Sequence, residues 1–163
     1  MEWILARELT RSLFQRRPLE ACQFSASVRN LIPMSGNSGK EILAKKIELS
    51  KRIADSTRAT LEEARTELLG KRVDVQVCFY LWKGDASHTD TVRKKDLDNL
   101  LKLLFDSLQV SLDPQKRIPG VGIMNSDDDV FHVEATKKIV DSEALAGIDI
   151  RVSEFRESQS KAV

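Results

Sequence analysis

Apolar and polar residues alternate most regularly over residues 73–82, where every second side chain of the first nine is aliphatic or aromatic. A period of two puts those side chains on one face of an extended chain, so this segment predicts a β-strand. Shorter runs of the same kind predict strands over residues 23–31, 130–138 and 148–152. The pattern also allows a short strand at 121–124, inside a loop that contains several prolines and glycines.

Three other segments repeat apolar residues every three to four positions, which predicts amphipathic helices. The first covers residues 2–15 and ends before Pro18, and the second fills residues 39–69 with a break near Ser56-Thr57. The third predicted helix runs from Asp96 to Gln109. It has a broad apolar stripe made of Leu97, Leu100, Leu101, Leu104, Phe105 and Leu108.

The second helical segment carries signals at both ends. Ser38 followed by Glu41 fits a capping box, and Gly70 fits a C-terminal stop. Residues 36–40 resemble a phosphate-binding P-loop only loosely, because the two glycines are too close together and Glu41 stands where a metal-binding Ser or Thr is needed. A helix start is therefore the favoured interpretation.

The order of predicted elements is helix, strand, helix, strand, helix and then further strands. This order predicts an α/β (α+β) fold, a single domain with a small mixed β-sheet packed against helices. We divide the chain into an N-terminal amphipathic helical extension (1–18), a domain that holds the sheet (19–155) and a frayed C-terminal tail (156–163).

Composition narrows the class of protein. A chain of 163 residues, with 31% charged and 41% hydrophobic residues, is typical of one soluble globular domain. The formal net charge is only +1, so any affinity for a polyanion must come from local basic patches. No stretch approaches the ~20 apolar residues of a membrane span. Charged residues also interrupt the N-terminal apolar run, which disfavours a secretory signal.

The two cysteines, Cys22 and Cys78, are far apart and fit no metal-ligand spacing. Free thiols are ordinary in a reducing compartment, and small buried thiols behave as hydrophobic residues. Together with the missing membrane span, they predict a cytoplasmic protein that has no membrane partner.

Carboxylates and a lysine are concentrated around the start of the third predicted helix. Asp96 and Asp98 are two positions apart, or about 200° around a helix, so they converge only if the helix begins between them. Asp is favoured both at an N-cap and in a first turn, because it accepts from free backbone N–H groups and offsets the helix dipole. Lys102 follows Asp98 by one helical turn and lies on the same face.

A second acidic group, Asp127-Asp128-Asp129, precedes the strand predicted at 130–138. Mg²⁺ prefers oxygen ligands and keeps several waters, so two or three carboxylates and a substrate phosphate are enough to hold it. Ions held in this way activate water and neutralise a scissile phosphate, and Lys102 would add charge near the reacting oxygens. The simpler alternative is that Asp96 and Asp98 cap the helix, Asp98 pairs with Lys102, and the later acids form a solvated turn.

Basic residues flank both acidic groups. They would let a nearly neutral protein bind phosphates locally, although such charge runs are also common on solvated surfaces. The candidate nucleic-acid-binding residues are Arg93, Lys94, Lys95, Lys116, Arg117, Lys137 and Lys138.

The run from Arg93 to Lys102, followed by Phe105-Asp106-Ser107-Leu108, resembles the signature helix of the RusA-type Holliday junction resolvases. In that family a basic stretch leads into D-x-D-N-x-x-K. A loop, an acidic pair that opens a strand with basic residues at its end, and a last strand follow. Residues 127–138 and 148–152 are similar to those two strands. The resemblance covers residues 70–155, and residues 23–69 only by the order of elements.

The resemblance implies that Asp96 and Asp98, together with Asp127 or Asp128, hold Mg²⁺, for which Mn²⁺ would substitute. It implies that Lys102 is the catalytic lysine, and that a homodimer places two such sites on a four-way DNA junction.

The third acid is assigned by its distance from the basic end of the strand. Counted back from Lys137, Asp127 matches the essential acid of the family and Ser126 replaces its neighbour. Counted from Lys138, the match is Asp128. We favour Asp127.

The expected function is therefore a Mg²⁺-dependent, structure-selective endodeoxyribonuclease that resolves Holliday junctions by paired phosphodiester hydrolysis. The alternative is a non-catalytic branched-DNA or protein-binding module with the same fold. Ser126 favours that alternative, and so does the connector between Lys102 and Asp127, which is longer than is usual in the family. A third interpretation is a structural domain whose acids only cap and solvate.

Overall fold

The computed structural model describes residues 23–33, 41–84 and 96–157. Several predictions lie outside these ranges: the N-terminal helical extension, Cys22, the loop at 36–40, the basic run Arg93-Lys94-Lys95 and the end of the C-terminal tail from residue 158. The described elements are β1 (Phe24–Arg29), α1 (Ile42–Ser56), α2 (Leu61–Leu68), β2 (Val73–Trp82), α3 (Leu97–Leu108), β3 (Ser111–Asp113), β4 (Ile118–Pro119), β5 (Val130–Val140) and β6 (Gly147–Glu154).

Four of the strands form one mixed sheet in the order β1-β6-β2-β5. Strand β6 runs antiparallel to both β1 and β2, whereas β2 and β5 are parallel. Strands β3 and β4 form a separate hairpin between α3 and β5. The predicted α+β fold with a mixed sheet is confirmed. None of the helices in the described ranges is long and apolar enough to cross a membrane.

The helices cover one face of the sheet and bury the alternating side chains of the strands. On this face the core contains Val73, Val75, Val77, Phe79 and Leu81 of β2. Helix α3 contributes Leu100, Leu103, Leu104 and Leu108, so its buried stripe includes Leu103, which the predicted stripe omitted. Leu97, Leu101 and Phe105 are only partly buried against the same core.

The predicted bounds of β2 are confirmed, and so is the break between the two helices that precede it. Helix α1 ends at Ser56, and Gly70, with φ of +78°, follows the C-cap of α2 as the predicted stop. The described part of α1 begins after Glu41, which makes no side-chain capping hydrogen bond. The capping box predicted from Ser38 lies outside the described residues.

The connector from α3 to β5 has more structure than a loop. The segment at 121–124, predicted as a strand, forms only a single bridge between Gln109 and Met124. Its N–H groups instead satisfy the helix: those of Val121 and Ile123 donate to the carbonyls of Ser107 and Leu108. The last carbonyls of a helix have no partner within the helix, so this segment acts as the C-terminal cap of α3.

Candidate metal and nucleic-acid site

The first residues of α3 determine how the first two aspartates are placed. Asp96 is the N-cap, with an extended backbone (φ −64°, ψ 138°), and Asp98 lies in the first turn of the helix. Because Asp96 is outside the helical repeat, the 200° separation of helical neighbours does not apply to this pair. The prediction that the chain passes into the helix between the two aspartates is confirmed.

Neither carboxylate makes a specific side-chain contact within the described part of the chain. Asp96 makes no side-chain capping hydrogen bond, and among the described residues neither carboxylate forms an ion pair. The pair between Asp98 and Lys102 that the simpler interpretation requires is therefore not formed. Both aspartates are exposed. Their negative charge is favoured there by the positive end of the helix dipole.

Lys102 lies one turn beyond Asp98 and is exposed. Its ammonium makes no ion pair with a carboxylate among the described residues. The next charged side chain of α3 behaves differently: Asp106 pairs with Lys46 of α1 at 2.8 Å and is half-buried. Helix α3 therefore uses Asp106 to hold the helices together and leaves Lys102 available at the end that carries the aspartates.

The second acidic group forms a short 3₁₀ turn at Asp127–Asp129, directly before β5. Ser126 caps this turn, and its Oγ accepts a hydrogen bond from the N–H of Asp128 at 3.3 Å. Asp129 completes a capping box, because its Oδ2 accepts from the N–H of Asn125 at 2.8 Å and from that of Ser126 at 3.5 Å. The carboxylate of Asp129 therefore maintains the turn.

This hydrogen bonding distinguishes the three adjacent aspartates. The carboxylates of Asp127 and Asp128 are exposed and have no hydrogen bond or ion pair within the described part of the chain. Ser126 is the N-cap of this turn, and its side chain takes part in the capping box. Asp127 and Asp128 thus remain candidates for a metal ligand, and the choice between them stays open.

The turn is tied to the rest of the fold from both sides. It opens β5, whose Val130 pairs with Val73 at the start of β2, and the segment before it caps α3. Among the described residues, however, no three His, Cys, Asp or Glu side chains are grouped so that they would hold a metal ion. Asp96 and Asp98 therefore do not form a three-carboxylate cluster with Asp127 or Asp128 in this structure.

The carboxylate pair of α3 still suits Mg²⁺. This ion is commonly bound by one or two carboxylates, with water and substrate phosphates completing its octahedral shell. Asp96 and Asp98 supply hard, exposed oxygen donors that no other contact among the described residues uses. The donor set therefore fits the cation that the resemblance implies.

The described basic residues do not form one surface. Lys116 and Arg117 are exposed in the turn between β3 and β4, where Lys116 lies 3.7 Å from Asp113. Lys137 and Lys138 are neighbours in β5, and they pair in register with Phe79 and Tyr80 of β2. Successive residues of a strand point to opposite faces. Lys137 is therefore on the helix side of the sheet and Lys138 on the other side.

A cluster on that other face was missed by the sequence analysis. The carboxylate of Asp149 is 4% exposed and accepts hydrogen bonds from Ser27 Oγ at 2.8 Å and Tyr80 Oη at 2.9 Å. Arg29 pairs with it at 2.8 Å and lies over the Tyr80 ring. The pKa of Tyr80 is raised mainly by burial of its hydroxyl, and further by the negative charge of Asp149. The signal available in the sequence was an acid between the alternating apolar residues Ile148 and Ile150 of β6, which places it on the opposite face of the strand.

A second contact on this face joins β2 to β5. The Nδ1 atom of His132 is 3.0 Å from Oδ1 of Asp74, which is 1% exposed. Cys78, also in β2, is buried as predicted, and burial raises the pKa of its thiol. It therefore does not have the lowered pKa of a reactive cysteine.

The fold and the two acidic groups define a small α+β domain with exposed carboxylates at a helix start. Comparison with protein-family models and with the curated proteins gives no match. The likeness to the RusA-type resolvases therefore rests on the D-x-D-N-x-x-K motif and on the elements that surround it.

Proposed function

We propose that the chain is a Mg²⁺-dependent endodeoxyribonuclease that acts on branched DNA. The observation that carries this proposal is the placement of Asp96 and Asp98 on either side of the start of α3, with carboxylates that no capping bond or ion pair among the described residues uses. Two exposed carboxylates that are two residues apart carry like charges, and a divalent cation bound by both would relieve their repulsion.

Each residue has a role in this proposal. Asp96 and Asp98 hold the cation, and Asp127 or Asp128 completes the site when DNA is bound. The cation would supply Lewis-acid activation of a phosphate and of a water molecule. Lys102 projects from the same helix face one turn later, and its ammonium would contact the phosphate oxygens that gain charge in the transition state.

The substrate class follows from the charge distribution and from the resemblance. A formal net charge of +1 gives no general attraction to DNA, so binding depends on separate basic positions. Lys116 and Arg117 project from a hairpin, whereas Lys137 and Lys138 lie on opposite faces of β5. Separate positions of this kind suit a substrate with several arms better than one straight duplex. The resemblance extends the proposal to a homodimer that nicks paired strands of a four-way junction.

A synthetic four-way junction incubated with Mg²⁺ tests the proposal. We expect the unmodified protein to nick it and Asp98→Asn to be slower by about 100-fold, because one ligand of the cation is lost. Asp55→Asn is the matched control, since Asp55 is an exposed helical aspartate whose partner is Arg58. Cleavage by Asp98→Asn at the parental rate, or no cleavage by the parent with Mg²⁺ or Mn²⁺ at any pH tried, would contradict the proposal.

A non-catalytic branched-DNA-binding module is the second candidate. It is favoured by the lack of a three-carboxylate group among the described residues and by Ser126, which serves as a cap where the family has an acid. Its expected behaviour is salt-sensitive junction binding without metal-dependent nicking. Efficient nicking by the purified protein would remove this candidate.

A further inference from the structure

Strand β5 lies at one end of the sheet order and, among the described strands, pairs only with β2. It is long, with 11 residues, and it carries apolar side chains that the helices do not cover. Phe131 is 50% exposed, Val133 41% and Ile139 57%. A long edge strand with exposed apolar residues is a template for pairing with a strand of another chain.

We propose that β5 pairs antiparallel with β5 of a second copy of this chain, about a two-fold axis at Thr136. In this register Val133 lies opposite Ile139 of the second copy, and Glu134 lies opposite Lys138 of the second copy. The symmetry repeats each pair, so the seam contains two aliphatic pairs and two pairs of opposite charge. Cross-strand pairs of both kinds stabilise a sheet.

The pairing of β5 with β2 shows that these contacts fall on the correct faces. Val133 and Ile139 are in register with Val75 and Leu81, whose side chains point to the helix-covered core. Glu134 lies one position along the strand from Val133 and therefore points to the other face. A two-fold axis perpendicular to the sheet keeps each residue on its own face, so the aliphatic pairs meet on the helix side and the charged pairs on the other.

Neighbouring registers are less favourable. Moving the axis one residue towards the N-terminus puts Val133 opposite Lys137 and His132 opposite Lys138. Moving it one residue towards the C-terminus puts Lys137 opposite its own copy and Glu134 opposite Val140. Charge facing an apolar residue, or facing like charge, loses the cross-strand stabilisation. The register centred on Thr136 avoids both.

A β-bulge limits the seam at one end. The register between β2 and β5 shifts between Val73 and Asp74, which leaves Phe131 as the extra residue of β5. Bulges twist an edge away from further pairing, so the new pairing begins at His132. The Asp127–Asp129 turn lies before the bulge and outside the seam. The inference rests on the homodimer of the proposed function and locates its interface, and sedimentation tests that interface without any measurement of cleavage.

Charge reversal tests the register on the full-length protein, with sedimentation velocity over a range of concentrations as the measurement. We expect a dimer for the parent, and a dissociation constant raised about tenfold for both Glu134→Lys and Lys138→Glu, because like charges then face each other twice. Lys137→Glu is the matched control: it changes the net charge equally but lies opposite Ala135, so it should leave dimerisation within about twofold of the parent.

Mixing the two reversed variants should restore association, because each charged pair of the mixed dimer again joins one lysine and one glutamate. The register is wrong if the mixture fails to associate or if Lys137→Glu weakens the dimer as much as Lys138→Glu does. A parent that remains monomeric at every concentration overturns the proposal, as does capture of an unrelated protein by β5 in place of a second copy.

A cross-linking measurement covers the case in which a reversed variant does not fold. Thr136→Cys should form a disulfide-linked dimer under mild oxidation, because Thr136 lies next to its own copy at the axis and Cβ atoms of facing residues are about 5 Å apart. The controls are the parent, which keeps its native cysteines, and Ser25→Cys on the opposite edge strand β1. Cross-linking no faster than in these controls would reject the axis.

Discussion

Three aspartates that are adjacent in sequence have different environments, and hydrogen bonds separate their roles. Asp129 accepts from two backbone N–H groups and holds the turn before β5, whereas the carboxylates of Asp127 and Asp128 remain exposed. Sequence composition cannot make this distinction, because capping and metal binding both favour Asp. The Ser126–Asp129 spacing of a capping box was nevertheless present in the sequence.

We predict that Asp129→Ala and Asp127→Ala have opposite effects. Removing the cap should lower the free energy of unfolding by about 0.5–2 kcal/mol. Removing an exposed carboxylate that makes no contact should change it by less than about 0.5 kcal/mol. Urea denaturation measures both changes, and the junction assay measures activity. We expect Asp127→Ala to lose cleavage and Asp129→Ala to retain it at a temperature where it is folded.

Asp128→Ala completes the comparison. A loss of cleavage in Asp128→Ala but not in Asp127→Ala would transfer the ligand role to Asp128. If Asp129→Ala were fully stable yet inactive, the assignment of Asp129 to the turn would be wrong.

Lys102→Ala provides a second prediction for single residues. If the ammonium acts on oxygens that gain charge in the transition state, its loss should reduce the single-turnover cleavage rate by about 100-fold and change junction affinity by less than about threefold. Lys51→Ala, an exposed lysine of α1, is the control and should leave both values unchanged. Equal losses of rate and affinity would show that Lys102 is only a phosphate contact.

The secondary-structure elements followed their sequence patterns wherever one face is buried. Strand β2 kept its predicted bounds because every second residue packs into the core. Helix α3 begins at Leu97, one residue after its predicted start, and Asp96 is its N-cap. The connector was misjudged for a physical reason. Its short apolar run at 121–124 resembles a strand, but its N–H groups bond to the end of α3, a tertiary contact that periodicity does not reveal.

The buried groups on the face of the sheet opposite the helices give a prediction about pH. The pKa of Tyr80 is raised mainly by burial and further by the charge of Asp149. The pKa of Cys78 is raised by burial. Both groups therefore release protons more readily in the unfolded chain than in the folded one. The free energy of unfolding should be largest below about pH 8.5, where both are protonated in either state, and should fall as pH rises through and above about 10.

Tyr80 is the only tyrosine, so the ultraviolet absorbance of tyrosinate reports on it alone. We expect this absorbance to appear together with the loss of circular dichroism as the protein is titrated with base. Tyr80→Phe should show a shallower alkaline loss of stability, although it is less stable at neutral pH because it loses the hydrogen bond to Asp149. Ionisation of Tyr80 near its ordinary pKa in a fully folded protein would contradict this prediction.

For the whole molecule, sequence reasoning located the carboxylates in their elements but could not determine how far those elements converge. Asp98 and Asp127 are separated by the rest of α3, the β3–β4 hairpin and the segment that caps α3. Their relative placement depends on how this connector packs, and no local pattern encodes that. The described residues do not bring three carboxylates together, so the cation proposal depends on the Asp96–Asp98 pair.

Stability in the presence of divalent cations tests this pair without any DNA. A ligand that binds only the folded state stabilises it by RT ln(1 + [L]/Kd), or about 2.7 kcal/mol at a hundredfold excess over Kd. We therefore expect Mn²⁺ or Mg²⁺ to raise the melting temperature of the parent in proportion to the logarithm of concentration, and EDTA to reverse the shift. Asp98→Asn should abolish the shift, whereas Asp55→Asn should retain it.

The pattern of losses among the variants shows where the ion binds. A shift that survives in Asp98→Asn but disappears in Asp127→Ala would place the cation at the turn before β5, and the role proposed for the start of α3 would be lost. A shift that requires both residues would mean that the ion draws α3 and the turn together. In that case cation binding supplies the free energy that closes the site, and the closed state should be favoured further by a bound phosphate.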